Sequence, residues 1–171
     1  MNNLSKIEWC CLMKNGIRIT DKNERVGKEY LESADVDLLE MKKSSLKWKN
    51  IQAYYACYNS FYAVLLKVGI KCEIHDCSLE LIDFFKELDE EDRKLIKRLK
   101  ILRTNVQYYL KKPEQIDDKI IAGFVLKCRN IFNSLDFDEI EGIRNKISGI
   151  IGKAKEKESN NQKDRGEGDG G

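Results

Sequence analysis

The chain has 171 residues, of which 31 are Lys or Arg and 29 are Asp or Glu, so its formal charge is only +2. This balance excludes a chain that attracts nucleic acid with its whole surface, and any basic surface must be local. No N-terminal apolar run has signal-peptide form and no stretch reaches the length of a membrane span, so we expect a cytoplasmic protein without membrane association.

Residues 1–157 are predicted to form one helical domain, because about 155 residues is the size of an ordinary single domain. Residues 158–171 contain no large apolar side chain, and we predict a disordered tail there. Only Pro113 and a few glycines interrupt the rest of the chain, whose apolar residues recur at helical spacing. The pattern predicts an all-α fold.

The predicted elements of the first half begin with a short amphipathic segment at residues 4–13, which ends at Asn15-Gly16. A first long helix follows at about residues 23–43 and a second at about 46–68. The second helix alternates aromatic residues with alanines that permit close helix contact, and Gly69 ends it. We expect this second helix to be the central, buried one.

The second half is predicted to contain a loop at 70–76 and a third helix at 77–87. The clearest helix spans about 89–112, because acids occupy its first turn and bases its last. A fifth helix is predicted at about 117–135, and a weaker one at 138–155. Short connections predict an antiparallel bundle of about five core helices.

The cysteines are scattered, and we expect them to be mostly free residues that fill the core. They are Cys10, Cys11, Cys57, Cys72, Cys77 and Cys128. The proximity of Cys72, His75 and Cys77 suggests zinc, but a structural site needs four ligands, and only Cys10 or Cys11 remains to supply another. We favour His75 as a residue that caps or hydrogen-bonds the start of the third helix, and we expect no metal or other cofactor.

Two segments of the chain carry a resemblance to a family. Residues 53–75 read AYYACYNSFYAVLLKVGIKCEIH, and residues 103–109 read RTNVQYY. With the helix at 124–132 they resemble, in order and spacing, the HEPN-domain proteins, especially a largely uncharacterised archaeal and bacterial family. The likeness covers about residues 23–135, and the family also carries a histidine at the position of His75.

The resemblance implies an antiparallel helical bundle that dimerises with a second copy. Many HEPN proteins are the toxin half of modules whose other half is a small nucleotidyltransferase. Active members carry Arg, four to six residues and then His on one helix, and two copies meet across the dimer to cleave RNA without metal. Here Tyr108 and Tyr109 occupy the fifth and sixth positions after Arg103, and the only histidine is His75.

The missing histidine bears directly on catalysis. Metal-independent cleavage needs a base for the 2′-hydroxyl, an acid for the leaving oxygen and a cation for the phosphoryl charge. Histidine serves the first two near neutrality, whereas tyrosine, with a pKa of about 10, can donate but scarcely accept. We expect weak or absent cleavage and assign no catalytic residue; any enzymatic activity would be that of a metal-independent ribonuclease.

Candidate binding residues lie on the fourth predicted helix. Arg103 is placed at the edge of the buried face, either as a phosphate ligand at a dimer cleft or as a structural arginine paired with an acid of a neighbouring helix. Lys100 extends a local phosphate surface. Asn105 and Gln107 are weaker candidates for orienting a ribose or phosphate.

The tyrosines of the chain are predicted to have different roles. Tyr108 is a candidate to stack on a base or to donate to a phosphate, whereas Tyr109 lies on the stripe that packs in the core. In some HEPN toxins a tyrosine beyond the histidine is modified by the partner nucleotidyltransferase, so the resemblance also makes both tyrosines candidates for modification. The aromatic run from Tyr54 to Tyr62 is interpreted as core and dimer interface.

Three hypotheses remain open. The first is a homodimer that contacts RNA or a nucleotide through Arg103 without turnover, as a binding module or as part of a toxin–antitoxin-like pair. The second is a ribonuclease in which Tyr108 or His75 replaces the missing group. The third is a structural subunit that holds a nucleotidyltransferase or another protein.

Overall fold

The fold is described from a computed structural model, which gives the backbone of residues 4–166 and the side chains of residues 4–162. This range contains seven α-helices, one 3-10 turn and a ladder of two short strands. The elements are α1 (Lys6–Leu12), β1 (Arg18–Ile19), α2 (Glu24–Lys43), α3 (Leu46–Val68), β2 (Ile70–Lys71), α4 (His75–Leu79), the 3-10 turn (Ile82–Phe84), α5 (Glu90–Tyr108), α6 (Asp118–Ser134) and α7 (Phe137–Gly166). The predicted all-α class is confirmed.

Helix α3 is the centre of the molecule, and α2, α5 and α6 pack around it. It is buried on most sides, with Ala53, Ala56 and Ala63 fully enclosed where neighbouring helices approach closely. Gly69 ends the helix in the left-handed region, at φ 78°, and its N–H donates to the carbonyls of Leu65 and Leu66. Within residues 4–166, no helix is both long and apolar enough to cross a bilayer.

A short antiparallel ladder, missed by the sequence prediction, follows α3. Arg18 pairs with Lys71 and Ile19 pairs with Ile70, and strands of two residues are too short to show the alternation that marks a strand. Arg144 of α7 donates to the carbonyls of Thr20, Val68 and Gly69 nearby, over 2.9–3.2 Å. The ladder and this arginine therefore hold β1 and α7 against the end of α3.

The third predicted helix, at 77–87, is wrong as a continuous element. Helix α4 already begins at His75 and ends at Leu79, and a 3-10 turn follows. The apolar residues of this stretch are too closely spaced for one face of one helix. The irregular path leaves Phe84 half-buried and buries the others: Leu79, Leu81, Ile82, Phe85 and Leu88. The five predicted core helices correspond to α2–α6, and α1 and α7 bring the count to seven rather than about five.

The cysteines divide into one pair and four free thiols. Cys10 of α1 and Cys77 of α4 form a disulfide, which corrects the expectation of free thiols at these two positions. The other four are free and buried, as expected for core residues: Cys11, Cys57, Cys72 and Cys128. Burial raises the pKa of Cys11 to about 11 and that of Cys128 to about 12, so these thiols stay protonated and unreactive.

Two helix ends differ from their predicted positions. Helix α5 ends at Tyr108 rather than at residue 112, because Leu110 adopts a left-handed φ of 51° and the N–H groups of Tyr109 and Lys111 both donate to the Asn105 carbonyl. Helix α7 continues beyond 155 to Gly166. The chain therefore turns away from α5 earlier than the charge pattern indicated, and α7 runs into the segment predicted as a tail.

The boundary of the predicted tail at residue 158 is corrected by α7. Lys157 donates to Glu8 of α1 over 2.6 Å, and this bond is the main reason why the pKa of Glu8 falls to about 2. Helix α7 packs along α1, so the contact anchors the helix close to the predicted boundary. Residues 167–171 of the predicted tail lie outside the described residues.

Two helical glycines provide a matched test of this packing. A Cβ added to Gly27 of α2 would lie 2.6 Å from Cε2 of the buried Phe132 ring and 3.1 Å from the Ala63 carbonyl oxygen, whereas one added to Gly123 of α6 meets nothing within 4 Å. We expect Gly27→Ala to lower the free energy of unfolding by about 1–3 kcal/mol through overpacking. Gly123→Ala should raise it by about 0.5–1 kcal/mol through helix propensity. Urea unfolding of both variants measures the two effects, and equal effects would contradict the α2–α3–α6 packing.

Candidate functional site

Arg103 is the centre of a cluster in which a cation lies among aromatic rings. It projects from α5 towards α3, and its Nη2 donates to the hydroxyl oxygens of Tyr55, at 2.8 Å, and Tyr108, at 3.4 Å. Its Cζ lies 5.5, 5.2 and 5.5 Å from the ring centroids of Tyr54, Tyr55 and Tyr108. Among the side chains of residues 4–162, none makes a salt bridge with Arg103. The structure thus places this arginine against tyrosines rather than against an acid of a neighbouring helix.

His75 joins the cluster from the first turn of α4. Its ring stacks on that of Tyr58 at a centroid distance of 4.0 Å, and its Nδ1 lies 2.6 Å from the Tyr54 hydroxyl oxygen. The predicted capping role of His75 is wrong, because the N-cap of α4 is Ile74 and it makes no side-chain capping bond. His75 bonds to α3 instead, and Tyr54 contacts both His75 and Arg103.

The protonation state of His75 follows from its surroundings. Burial lowers its pKa, and the positive charges of Arg103 and Lys100 lower it further, while Asp76 acts in the opposite direction. Since an unperturbed imidazole has a pKa of about 6.5, a lowered pKa makes His75 neutral at pH 7. One of its two ring nitrogens therefore carries a proton and the other a lone pair.

The hydrogen bond to Tyr54 fixes the tautomer of His75. Tyr54 is fully buried, and burial raises the pKa of its phenol, so the hydroxyl keeps its proton. In the described part of the chain its only hydrogen-bond partner is Nδ1 of His75. A buried hydroxyl donates where an acceptor is available, so Tyr54 donates to the Nδ1 lone pair. The proton of His75 is then on Nε2, and the imidazole offers its surroundings an N–H donor rather than a base.

The cluster contains more hydrogen-bond donors than acceptors. The hydroxyls of Tyr55 and Tyr108 accept from Arg103, and each keeps an O–H for which residues 4–162 provide no acceptor. The Nε of Arg103 is buried without a partner among the described side chains. With the Nε2–H of His75, these groups form a set of donors around one cation. Oxyanions such as phosphate are the acceptors that match such a set.

Lys100 is paired at the edge of the cluster. Its ammonium group forms an ion pair with Asp76, the residue after His75. Lys100 and Asp76 also line a groove of about 270 Å³ that contains the further cations Lys6 and Lys97. Lys100 therefore lies beside other cations, but an acid already neutralises its charge, and its predicted contact with a phosphate stays a prediction.

The remaining predicted residues have different positions. Tyr108 is 62% exposed and Tyr109 is 67% exposed, so the prediction that Tyr109 packs in the core is wrong. The reason is that Tyr109 lies after the last helical residue, where the helical wheel no longer applies. Gln107 is exposed and Asn105 half-buried, and neither side chain hydrogen-bonds to Arg103.

The aromatic run of α3 is partly core and partly site. Tyr54 and Tyr58 are buried and stack on one another at 5.7 Å, which agrees with a packing role. Tyr55 is half-buried and holds Arg103, and sequence reasoning missed it by treating the run as one structural unit. The signal that could have identified Tyr55 is its position on α3, one residue after Tyr54 and therefore beside the buried face that Tyr54 and Tyr58 share.

The candidate zinc ligands Cys72, His75 and Cys77 do not form a metal site, because each has another partner. Cys77 is bonded to Cys10, and His75 is bonded to Tyr54. Cys72 is buried and its thiol donates to the Ile74 carbonyl. Within the part of the chain that the structure describes, no three His, Cys, Asp or Glu side chains are arranged to hold a metal ion.

No protein-family model matches the chain, no curated protein matches it, and no solved structure matches it. The resemblance to HEPN-domain proteins therefore stays a prediction. Function has to be inferred from the groups around Arg103.

The tautomer of His75 is directly measurable, because it is the only histidine of the chain. We expect ¹⁵N NMR to show the Nε2–H tautomer at pH 7 and a pKa below about 6.5. In Tyr54→Phe the pKa should rise, since the hydroxyl that stabilises neutral imidazole is gone.

Tyr58→Phe is the matched control for this measurement. It removes a hydroxyl whose partner is Ser78 Oγ at 3.2 Å and keeps the ring that stacks on His75. We expect the tautomer to stay unchanged in this variant. An Nδ1–H tautomer in the unaltered protein would contradict the assignment.

Proposed function

We propose that the chain is a HEPN-type helical module that binds RNA or a nucleotide through a phosphate group at Arg103, without turnover. The observation that carries the proposal is the excess of donors around a cation without an acidic partner. A phosphate supplies acceptors to all of these groups at once, and Arg is the side chain best suited to it. The exposed ring of Tyr108 adds a surface on which a base can stack.

Binding is favoured over cleavage because neither ring nitrogen of His75 offers a free lone pair that could act as a general base. Nε2 of neutral His75 carries a hydrogen, and its lone pair at Nδ1 is occupied by Tyr54. To act as a base, His75 would have to exchange tautomers and leave the buried Tyr54 hydroxyl without an acceptor. Such an unsatisfied buried donor costs about 1–3 kcal/mol.

A ribonuclease is the second candidate function, and one observation favours it. His75 lies beside Arg103 although the two residues belong to different elements, so a histidine and an arginine share one site even though the helix motif is missing. In this alternative His75 would take the proton of the 2′-hydroxyl, and Arg103 would stabilise the charge on the phosphoryl oxygens. Cleavage would then depend on both residues.

A homodimer is the proposed assembly, and exposed apolar side chains beside the site support it. Ile101 of α5 is 60% exposed, and Tyr109 and Leu110, which follow the helix, are 67% and 79% exposed. Clustered exposed apolar groups are typical of interaction surfaces, and these three residues, called the apolar patch below, flank Tyr108 along the chain. We place the dimer in the cytoplasm and propose a nucleotidyltransferase as a candidate second partner. In the alternative of a purely structural subunit, the chain would have this interaction surface but would not bind RNA.

Arg103→Ala tests the binding proposal against Arg98→Ala. Both arginines are on α5, but Arg98 is exposed and pairs with Glu114 at 2.9 Å. We expect Arg103→Ala to weaken binding of labelled RNA at low salt at least about tenfold, since it removes a charge-assisted contact. Arg98→Ala should change the affinity less than about twofold, because exposed ion pairs contribute little.

Retention and cleavage of the RNA are followed in the same samples. Binding without cleavage that is lost in Arg103→Ala supports the module. Cleavage that depends on Arg103 and is lost in His75→Gln would establish the ribonuclease instead. Equal binding by both arginine variants, or no binding at all, would point to a structural subunit.

The proposed dimer surface has its own test. We expect light scattering to show a dimer at micromolar concentration, and Leu110→Asp to shift it to monomer by placing a charge in the apolar patch. Asp tolerates the left-handed backbone at this position. Leu39→Asp, on the exposed face of α2, is the control that should leave the dimer intact, and a wild-type monomer would refute the assembly.

A further inference from the structure

The donors around Arg103 also indicate which kind of phosphate the site accepts. We infer that it receives a phosphate monoester, the group at a phosphorylated end of an RNA strand, rather than a phosphodiester within the strand. This inference rests on the proposed function and makes it more specific. A free mononucleotide carries the same group, so the experiment below separates the two sources.

The number of donors is the first argument. Arg103, the Nε2–H of His75 and the hydroxyls of Tyr55 and Tyr108 together form at least four donors with free hydrogens. A phosphodiester has two non-bridging oxygens and one negative charge. A monoester has three terminal oxygens and a charge of about −1.5 to −2 at pH 7. A monoester therefore offers these donors one more terminal oxygen and more negative charge than a diester, and charge strengthens each of the hydrogen bonds.

The ion pair at the edge supplies the second argument. Lys100 is held by Asp76, which carries a single negative charge. An internal phosphodiester, with the same charge, gains nothing over the carboxylate when it competes for the Lys100 ammonium. A monoester with nearly twice the charge attracts both Lys100 and Arg103 more strongly than Asp76 attracts Lys100. The Asp76 carboxylate thus competes with an internal phosphate for the Lys100 ammonium, and a more highly charged monoester displaces it more readily.

The shape of the cluster is the third argument. Behind Arg103 the rings of Tyr54 and Tyr58 are buried, and on the α4 side the Lys100–Asp76 pair joins α5 to α4. The side formed by Tyr108 is open to solvent. A strand that continued past its bound phosphate on the α4 side would meet this ion pair. A strand end can enter along Tyr108, stack its last base there and stop.

The test compares three five-nucleotide RNAs of one sequence in calorimetric titrations: one with a 5′-phosphate, one with a 3′-phosphate and one with hydroxyls at both ends. We expect one phosphorylated form to bind the protein at least about tenfold more tightly than the hydroxyl form. The preference should disappear in Arg103→Ala. It should fall severalfold in Tyr55→Phe, which removes one donor and keeps the ring.

Lys97→Ala is the matched control, because Lys97 lines the neighbouring groove and belongs to the same helix. This variant should lower the affinity for all three RNAs equally and leave the preference for the phosphorylated end intact. Adenosine monophosphate, adenosine and inorganic phosphate complete the set. Monophosphate binding as tight as that of the RNA would keep the inference and make a nucleotide the ligand. In the other outcome, adenosine monophosphate binds more weakly than the RNA, and in Tyr108→Ala no more tightly than inorganic phosphate. That result would make the strand end the ligand.

The outcomes separate the inference from the proposed function. If all three RNAs bind with equal affinity and Arg103→Ala weakens them equally, the monoester inference is overturned while RNA binding stands. If none of the RNAs and small ligands binds, both fail together. A preference for a phosphorylated end that survives in Arg103→Ala would also overturn the inference, because the end would then be bound elsewhere.

Discussion

Helix α3 is buried on most sides and yet carries four tyrosines, and the surrounding structure is organised by the need to satisfy their hydroxyls. Tyr54 bonds to His75, Tyr58 to Ser78 Oγ at 3.2 Å, and Tyr62 accepts from the backbone N–H of Cys72 at 3.4 Å. Buried polar groups without partners are expensive, so these bonds fix where the segment 72–78 must lie. The fourth tyrosine, Tyr55, accepts a hydrogen bond from Arg103 of α5.

This arrangement makes the core and the candidate site one structure. The segment that satisfies three tyrosine hydroxyls also brings His75 and Asp76 to the side of Arg103. The disulfide from Cys77 to Cys10 and the bond from the Glu73 N–H to the Asn15 carbonyl hold the same segment to the N-terminal part of the chain. The donors around Arg103 are therefore held in place before any ligand arrives, and preorganised groups bind without a further cost of ordering.

Sequence reasoning predicted the regular parts of the molecule and missed those that depend on tertiary contact. The long helices α2, α3, α5 and α6 follow from apolar periodicity and from charges at their ends. The two-residue ladder and the end of α5 at Leu110 each depend on a few backbone hydrogen bonds. Such bonds leave no periodic pattern of apolar residues in the sequence. The extension of α7 to Gly166 has the same character, because Lys157 is anchored by Glu8, a residue 149 positions away.

The candidate site divides in the same way. Arg103, Lys100 and Tyr108 lie on one helix, so their relation can be predicted from spacing. His75 bonds to Tyr54, 21 residues earlier, and only the path of the intervening loop brings them together. A loop histidine next to a predicted helix start suggests a local cap rather than a partner on another helix. Tyr55 was missed because its neighbours in the aromatic run are core residues.

The bond between Tyr54 and His75 also decides what chemistry the cluster can support. A histidine beside an arginine is the pair from which metal-independent cleavage of RNA is built, but cleavage needs a lone pair directed at the substrate. Tyr54 occupies one nitrogen of His75, and burial together with two neighbouring cations keeps the ring neutral, so the other nitrogen is a donor. The residues that could form a nuclease are therefore arranged as donors, as the proposed anion binding requires, because one buried hydroxyl fixes the position of one proton.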